Sequence, residues 1–337
     1  MRTRLVGIAT LVALVQVGVP GFVGTASATH VGCGTVITQS TTLDSDVGPC
    51  PDNGIIVGAD NIVLDLNGHR VFGTPNPGDG AGILLENRTG VTVTDGTVSD
   101  FDAGVAIIGG GTNTVSKLTA RDNIGSLASD FGDGIFIDSS NNNVIEKNTV
   151  VHNGPYDGIG LFGTSSGNLI EKNVVTDNNI CTTFTNPRTG MPMTICQDDG
   201  IRLEHGTTNN TVTKNEVLRN GLDGIAVFAT ATDNVITKNV VEGNGFHVAR
   251  HRKGDGIRLF SGADRTLIEK NRVFNNAANG IIVQSRSNRI LKNETGGNAA
   301  AGAPNTYDLH DTNANCDLNV WRGNTYVTAF PPCTTAP

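Results

Sequence analysis

One motif returns along most of this chain and limits what it can fold into. From Asp133 the sequence reads DGIFIDSSNNNVIEKNTVVHN, and altered copies open at Asp157, Asp199, Asp223 and Asp255, with a worn one at Asn279. Self-similarity at a period of roughly twenty to thirty residues marks a solenoid, in which each copy buries its apolar face only against its neighbours. In the copy that opens at Asp199, Ile201 and Leu203 alternate with Arg202 and Glu204, the period-two signature of a strand with one face inward. Val212 and Val217 give two further short strands, separated by polar corners at Gly206–Asn210, Lys214-Asn215 and Arg219–Gly221.

Three strands and three corners per copy predict an all-β, single-domain right-handed parallel β-helix, a solenoid of about nine or more rungs. Three inward columns support it. The first strand supplies Ile83, Val105, Ile135, Ile159, Ile201, Ile225, Ile257 and Ile281. The second supplies Ile145, Ile170, Val212, Ile236, Ile268 and Ile290, and the third Val150, Val175, Val217, Val241 and Val273. A corner column of Asn148, Asn173, Asn215, Asn239, Asn271 and Asn293 is placed to pass amide hydrogen bonds from rung to rung. That column reads as structural.

The expected organisation is a signal peptide over 1–28, an N-terminal cap over 29–53, the helix over 54–300 and a C-terminal cap over 301–337. Arg2 and Arg4, the apolar run Leu5–Val19 and the small residues of Thr25-Ala26-Ser27-Ala28 carry the export reading. The mature chain is therefore expected to be secreted, without a membrane span, and monomeric. Its six cysteines suit an oxidising compartment. Sequence proximity pairs Cys33 with Cys50, Cys181 with Cys196 and Cys316 with Cys333, one of fifteen connectivities. A net charge of −8 and 5% aromatic residues argue against a nucleic-acid partner.

The repeat resembles the right-handed β-helix repeat family of the pectate-lyase-like superfamily, which includes the periplasmic copper-maturation β-helix proteins. The opening Cys33-Gly34-Thr35 with Ile62–His69, and the closing Asn313–Asp317 with Trp321, resemble the caps of secreted β-helix proteins. Tyr307-Asp308-Leu309-His310-Asp311 is distantly similar to the Asp-Pro-His-Asp/Glu signature of alginate epimerases, with Leu309 in place of the proline. The resemblance implies the fold, and across its lyases, hydrolases, epimerases and binding proteins it does not single out an activity.

The period breaks where residues 123–131, 179–198 and 245–254 are inserted, each after a third strand. These segments are expected to emerge at one corner beside the outer face of the first strand, where a rigid scaffold carries sites. The rung opened by Gly224 lies between two of them, with Ala226 and Phe228 outward, Arg202 and Glu204 one rung before, and Arg258 one rung after. The basic segment His247, Arg250, His251, Arg252 and Lys253 is expected to hang over it.

Paired arginines under a basic flap suit a sugar carboxylate. The leading expectation is a polysaccharide lyase that cleaves at a uronic acid by β-elimination. Its candidate catalytic residues are Arg202, Arg258, His251, His247, Lys253 and Glu204, and Arg250, Arg252, Phe228 and Asp198 would bind substrate. Hydrolysis would instead pair Glu204 with Asp199 or Asp255, and a C5-epimerase on the same groove is a third option. The other class of reading is a non-catalytic exported module that binds glycan or ions, with the basic loop merely solvated. The column of Asp133, Asp157, Asp199, Asp223 and Asp255 has two readings. Each Asp could accept backbone N–H groups in a turn, or Asp199, Asp223 and Asp255 could hold Ca²⁺ between rungs. A second regular column, Lys147, Lys172, Lys214, Lys238, Lys270 and Lys292, could bind a polyanion, but beside Glu146, Glu171 and Glu269 it reads first as a solvated, mixed-charge face.

Overall fold

The computed structural model describes residues 28–74, 80–125, 132–185, 190–196, 198–246, 253–300, 302, 304–313 and 315–335. The export signal and the basic residues His247, Arg250, His251 and Arg252 lie outside the described residues.

The chain coils as a right-handed parallel β-helix. The first strands of successive rungs form a 12-stranded parallel sheet from Thr35–Ile37 to Ala329–Phe330. The second and third strands form the other two faces, joined into one 20-stranded sheet because Thr92–Ser99 and Thr114–Arg121 run through the corner between them. Register is strict. Val105 pairs with Ile135, Ile135 with Ile159, Ile159 with Ile201, and so on to Leu309. All three expected apolar columns are fully buried, and Trp321 closes the second column beneath Ile290. Each buried Ile or Val contributes about 1.5–3 kcal/mol.

A physical reason now attaches to the glycine that opens each rung. A Cβ at Gly200 would meet Val217 Cγ1 at 2.5 Å, the Gly224 carbonyl at 2.6 Å and the Asn220 amide at 2.7 Å. The first strand thus passes so close to the corner amide that no side chain fits.

Asparagine ladders stand at all three corners, where the sequence reading recognised one. In the expected column, Asn148 Nδ2 donates to Asn173 Oδ1 at 3.0 Å, and the chain of bonds continues through Asn215, Asn239, Asn271 and Asn293 to Asn324. A second file links Asn143, Asn168, Asn210 and Asn234, and a third runs from Asn123 through Asn153, Asn178, Asn220, Asn244 and Asn276 to Asn298.

The three disulfides join Cys33–Cys50, Cys181–Cys196 and Cys316–Cys333. The first and last sit at the two ends of the stack. The middle one closes the base of an antiparallel hairpin, Thr182–Thr185 with Pro192–Ile195. Each of the three insertions leaves after a corner asparagine (Asn123, Asn178 or Asn244) and rejoins the coil at an aspartate (Asp133, Asp199 or Asp255), so their anchor points stack at one corner.

Candidate functional site

The outer face of the first sheet carries the chemistry. Because strand side chains alternate, one outward column reads Phe136, Gly160, Arg202, Ala226, Arg258, Ile282 and His310. Two residues further along each rung comes a second column. Asp138 faces Phe162 there, and the backbone ladder continues it through Glu204, Phe228, Phe260 and Gln284.

Behind these columns the five expected aspartates form a buried file. Asp133, Asp157, Asp199, Asp223 and Asp255 are each at most 1% exposed. Each Oδ1 accepts the backbone N–H of the next rung's equivalent residue, from Asp157 N to Asp133 at 3.2 Å through Asp255 N to Asp223 at 2.7 Å, and Asn279 continues the pattern. The bonds run between rungs and not within one turn. The second oxygens of Asp157 and Asp199 receive no hydrogen bond and face Arg202, at 3.8 Å from Nε and 3.6 Å from Nη1.

Burial raises the carboxyls of Asp133, Asp157, Asp199 and Asp255. It pushes Asp133 up to about 7, against the opposing hydrogen bond from the Asp157 N–H and the Arg202 charge. Burial also holds Asp157 well above the usual carboxylate range, with Arg202 opposing. Asp199 is held well above it by burial and by repulsion from Asp223 and Asp157. Asp255 rises to about 6 through burial and Asp223, with Arg258 and Asn279 opposing. Burial alone would lower Arg202, but Asp157, Asp199 and Glu204 hold it above its ordinary value.

Arg202, its side chain 10% exposed, forms the floor of a cleft of about 510 Å³ over the rungs of Asp133, Asp157 and Asp199. Its guanidinium bonds to Glu204 through Nε and Nη2 and lies 3.9 Å above the Phe228 ring. His205 stands at the rim, with Nε2 3.3 Å from Glu204 Oε1. Phe136, Phe162 and Tyr156 form the walls, and Asp138 also lines the cleft. Phe136 and Phe162 stack at 5.1 Å. Gly160 makes room for them, since a Cβ there would meet the Phe162 ring at 2.4 Å and the Asp133 carboxylate at 2.7 Å.

The structure therefore places Arg202 and Glu204 together in a cleft one to three rungs before the Gly224 rung. Arg258 lies two strands beyond Arg202 with Ala226 between them. Its Nη1 contacts Asp255 at 3.0 Å, its Nη2 donates to Gln284 at 3.1 Å, and it covers the Phe260 ring at 4.2 Å. Phe228 and Phe260 stack at 4.1 Å, so a guanidinium, two rings and a second guanidinium form one continuous pile. Asp198 is buried beside the middle disulfide, 3.9 Å from Cys181 Sγ, and is not among the residues lining the cleft. Lys253 is half-buried at the edge of the described residues.

Asp199, Asp223 and Asp255 belong to the buried file, where Arg202 and Arg258 supply positive charge from the chain itself. At the insertion corner a second cleft of about 520 Å³ is lined by Asp177, Asn179, Arg219 and Phe246, with Arg219 held by both Asp177 oxygens. The sequence reading missed Tyr156, His205, Phe136, Phe162 and Asp138. The outward alternation of Phe136, Phe162, Phe228 and Phe260 was the signal that pointed to them.

Fold and site together define a parallel β-helix with a charged, aromatic-walled cleft on the outer face of one sheet. The model of the NosD family, described as periplasmic copper-binding protein, matches residues 52–253 and 185–316, well over half of the sequence, and the chain belongs to that family. No curated protein matches it significantly.

Among solved structures, a double mutant of the periplasmic alginate epimerase AlgG superposes with a TM-score of 0.55 at 15% identity, over 87% of this chain and 74% of that one. The Dettilon tailspike protein gives 0.59 at 16%, over 85% of this chain and 54% of its own, so this chain spans about half of it. An alginate lyase from Paenibacillus sp. str. FPU-7 gives 0.51 at 14%, over 88% and 91%. At these identities the likeness speaks for the fold.

Proposed function

We propose that this protein is an exported, carbohydrate-active β-helix that acts on extracellular polysaccharide at the Arg202 cleft, by β-elimination at a uronic acid. One observation carries the reading: a guanidinium, an imidazole and a phenol line a single aromatic-walled cleft. Elimination needs those three parts. Arg202 takes the sugar carboxylate in place of Glu204 and makes the neighbouring C5 proton more acidic. His205 removes that proton through a ring nitrogen, the C4–O4 bond breaks as the C4–C5 double bond forms, and Tyr156 gives its proton to the departing O4. The alginate epimerase and alginate lyase among the structural neighbours support a glycan substrate by analogy of fold. Three disulfides and the family's periplasmic description favour export, and no helix among the described residues is long and apolar enough to cross a membrane.

A second reading has its own support. Asp133, raised to about 7 by burial, would carry the proton that a general acid needs near neutral pH, with Asp157 beside it also held above the usual carboxylate range and Glu204 as the other carboxylate. The products separate the two. Incubation with a panel of uronate polymers is expected to generate the ultraviolet absorbance of unsaturated sugars. The Tyr156→Phe and His205→Ala variants should lose it by 10²-fold or more, on the order of general acid–base catalysis. New reducing ends without absorbance would favour hydrolysis, and neither signal would leave a binding module.

The family's name raises copper as a ligand. Among the described residues, the one cluster of metal-capable groups is Cys181, Cys196 and Asp198, and its two sulfurs are joined as a disulfide. Copper sites favour thiolate, thioether or imidazole donors, and this cluster offers neither a free thiolate nor an imidazole. No step here runs through the metal.

A further inference from the structure

We infer that the corner between the second and third strands is a separate binding ridge for a linear acidic glycan. Lys117, Lys147, Lys172, Lys214, Lys238, Lys270 and Lys292 occupy the same turn position in seven consecutive rungs, all exposed. Backbone bonds tie each of the last six to the rung that follows. The file therefore spans six strand spacings, about 29 Å.

The backbone does not call for lysine there. All seven are left-handed, with φ between 54° and 59°, a conformation that favours Gly, Asn or Asp. The other two corners follow that preference or drift. One holds Asn142, Gly167, Asn209, Asp233, Arg265 and Ser287, the other Asp122, His152, Asp177, Arg219, Gly243 and Asn275. All three corners belong to the same repeats, yet only this one keeps a cation throughout, in a chain of net charge −8.

The ridge also leads somewhere. Beside Lys292 opens a groove of about 500 Å³ whose cations are Arg289, Lys292 and Arg322. None of the three forms an ion pair among the described residues. Along the rest of the file Glu146, Glu171 and Glu269 partner Lys147, Lys172, Lys214 and Lys270 in surface pairs at 2.9–3.7 Å. Surface pairs of this kind exchange readily for a ligand carboxylate.

Charge spacing selects the partner. A glycan with a carboxylate on every sugar repeats its charge at a length of the same order as the strand spacing. The half-buried Thr237 stands beside Lys238 on the strand that leads into this corner. Single-stranded nucleic acid would want stacking platforms, and the strands that flank Lys147 to Lys238 hold no aromatic residue.

This inference does not depend on catalysis in the Arg202 cleft. The test is titration of the full chain with polygalacturonate at low salt, with neutral dextran and a single-stranded DNA of equal charge as comparisons. The triple variant Lys214→Asn, Lys238→Asn, Lys292→Asn removes three charges and places a residue suited to the left-handed turn, so the fold is kept. Affinity for polygalacturonate is expected to fall about tenfold or more, with a shallower salt dependence. The triple variant should still give the wild-type absorbance signal with short uronate oligomers, since none of its three positions lines the Arg202 cleft. Three outcomes would overturn the ridge: unchanged affinity in the triple variant, binding abolished by the cleft variants Tyr156→Phe and His205→Ala alone, or DNA bound by the wild type as tightly as the uronate polymer.

Discussion

The asparagine files and the aspartate file solve the same geometric problem with opposite results. In both, a short side chain at a corner takes a backbone N–H from the neighbouring rung. The direction differs. Asn148 donates its N–H and its Nδ2 towards the C-terminal end, to Asn173 Oδ1, whereas Asp133 Oδ1 receives the N–H of Asp157 from that end. An amide also has a donor to spend, and Asn173 Nδ2 uses it twice, on Asn215 and on the Ile145 carbonyl. A carboxyl has instead a second oxygen. At Asp157 and Asp199 that oxygen receives no hydrogen bond and faces Arg202. One atom per rung separates a column that only holds the tube together from one that sets titratable carboxyls beneath the cleft.

The strongest way to break this comparison is Asn215→Asp. The new carboxylate would face the Ile170 carbonyl and the Asn239 oxygen that the amide now serves. A loss of about 3–5 kcal/mol is expected in denaturant unfolding at neutral pH. A loss under 1 kcal/mol would mean that the files are interchangeable.

The pH dependence comes next. Asp133 and Asp255 have folded pKa values above the usual 3.8, at about 7 and about 6. The native state therefore holds protons that the unfolded chain has already released. Their stabilising contribution is complete below about pH 4 and is lost as pH rises through about 6 for Asp255 and about 7 for Asp133. For Asp133 alone the effect is on the order of 4 kcal/mol. The Asp133→Asn variant should flatten the fall measured between pH 4 and 7.

The smallest effect is expected for Asp199→Asn, which keeps the acceptor for the Asp223 N–H and removes a carboxyl whose charged form burial and its acidic neighbours already disfavour. Its stability at pH 7 should stay within about 1 kcal/mol of the wild type. A loss as large as that of Asn215→Asp would show that Arg202 depends on a charged Asp199.

The solenoid was legible because its signal is repeated. Ile201 or Val217 alone says little, but eight rungs of the same alternation leave one architecture. The second and third asparagine files were just as regular, five residues either side of the first, as in Asn143-Asn148-Asn153 and Asn210-Asn215-Asn220. A preceding lysine, as in Lys147-Asn148 and Lys214-Asn215, marks the first file alone. The site was harder to read for a different reason. Arg202 and Glu204 stood out as charges in an outward column, but whether they served the Gly224 rung or the rungs before it depended on side-chain direction. Arg202 folds over Phe228 and binds Glu204, and the open volume lies on the N-terminal side, against Tyr156 and Phe162. Alternation reports which face a residue occupies, not which neighbour it leans towards.

The third amide file stops on a different residue. Asn298 Nδ2 donates to Asp308 Oδ1 at 2.8 Å, while Asp308 Oδ2 receives Val327 N, Thr328 N and Thr328 Oγ1 at 2.9–3.1 Å. A carboxylate offers acceptors alone, and here one oxygen is filled by Asn298 and the other by Val327 and Thr328. A second molecule arriving end-on would find neither a spare proton nor a vacant lone pair at this corner with which to prolong the file. The tube thus carries its own terminator, a chemical full stop against the fibre growth that stacked open edges invite.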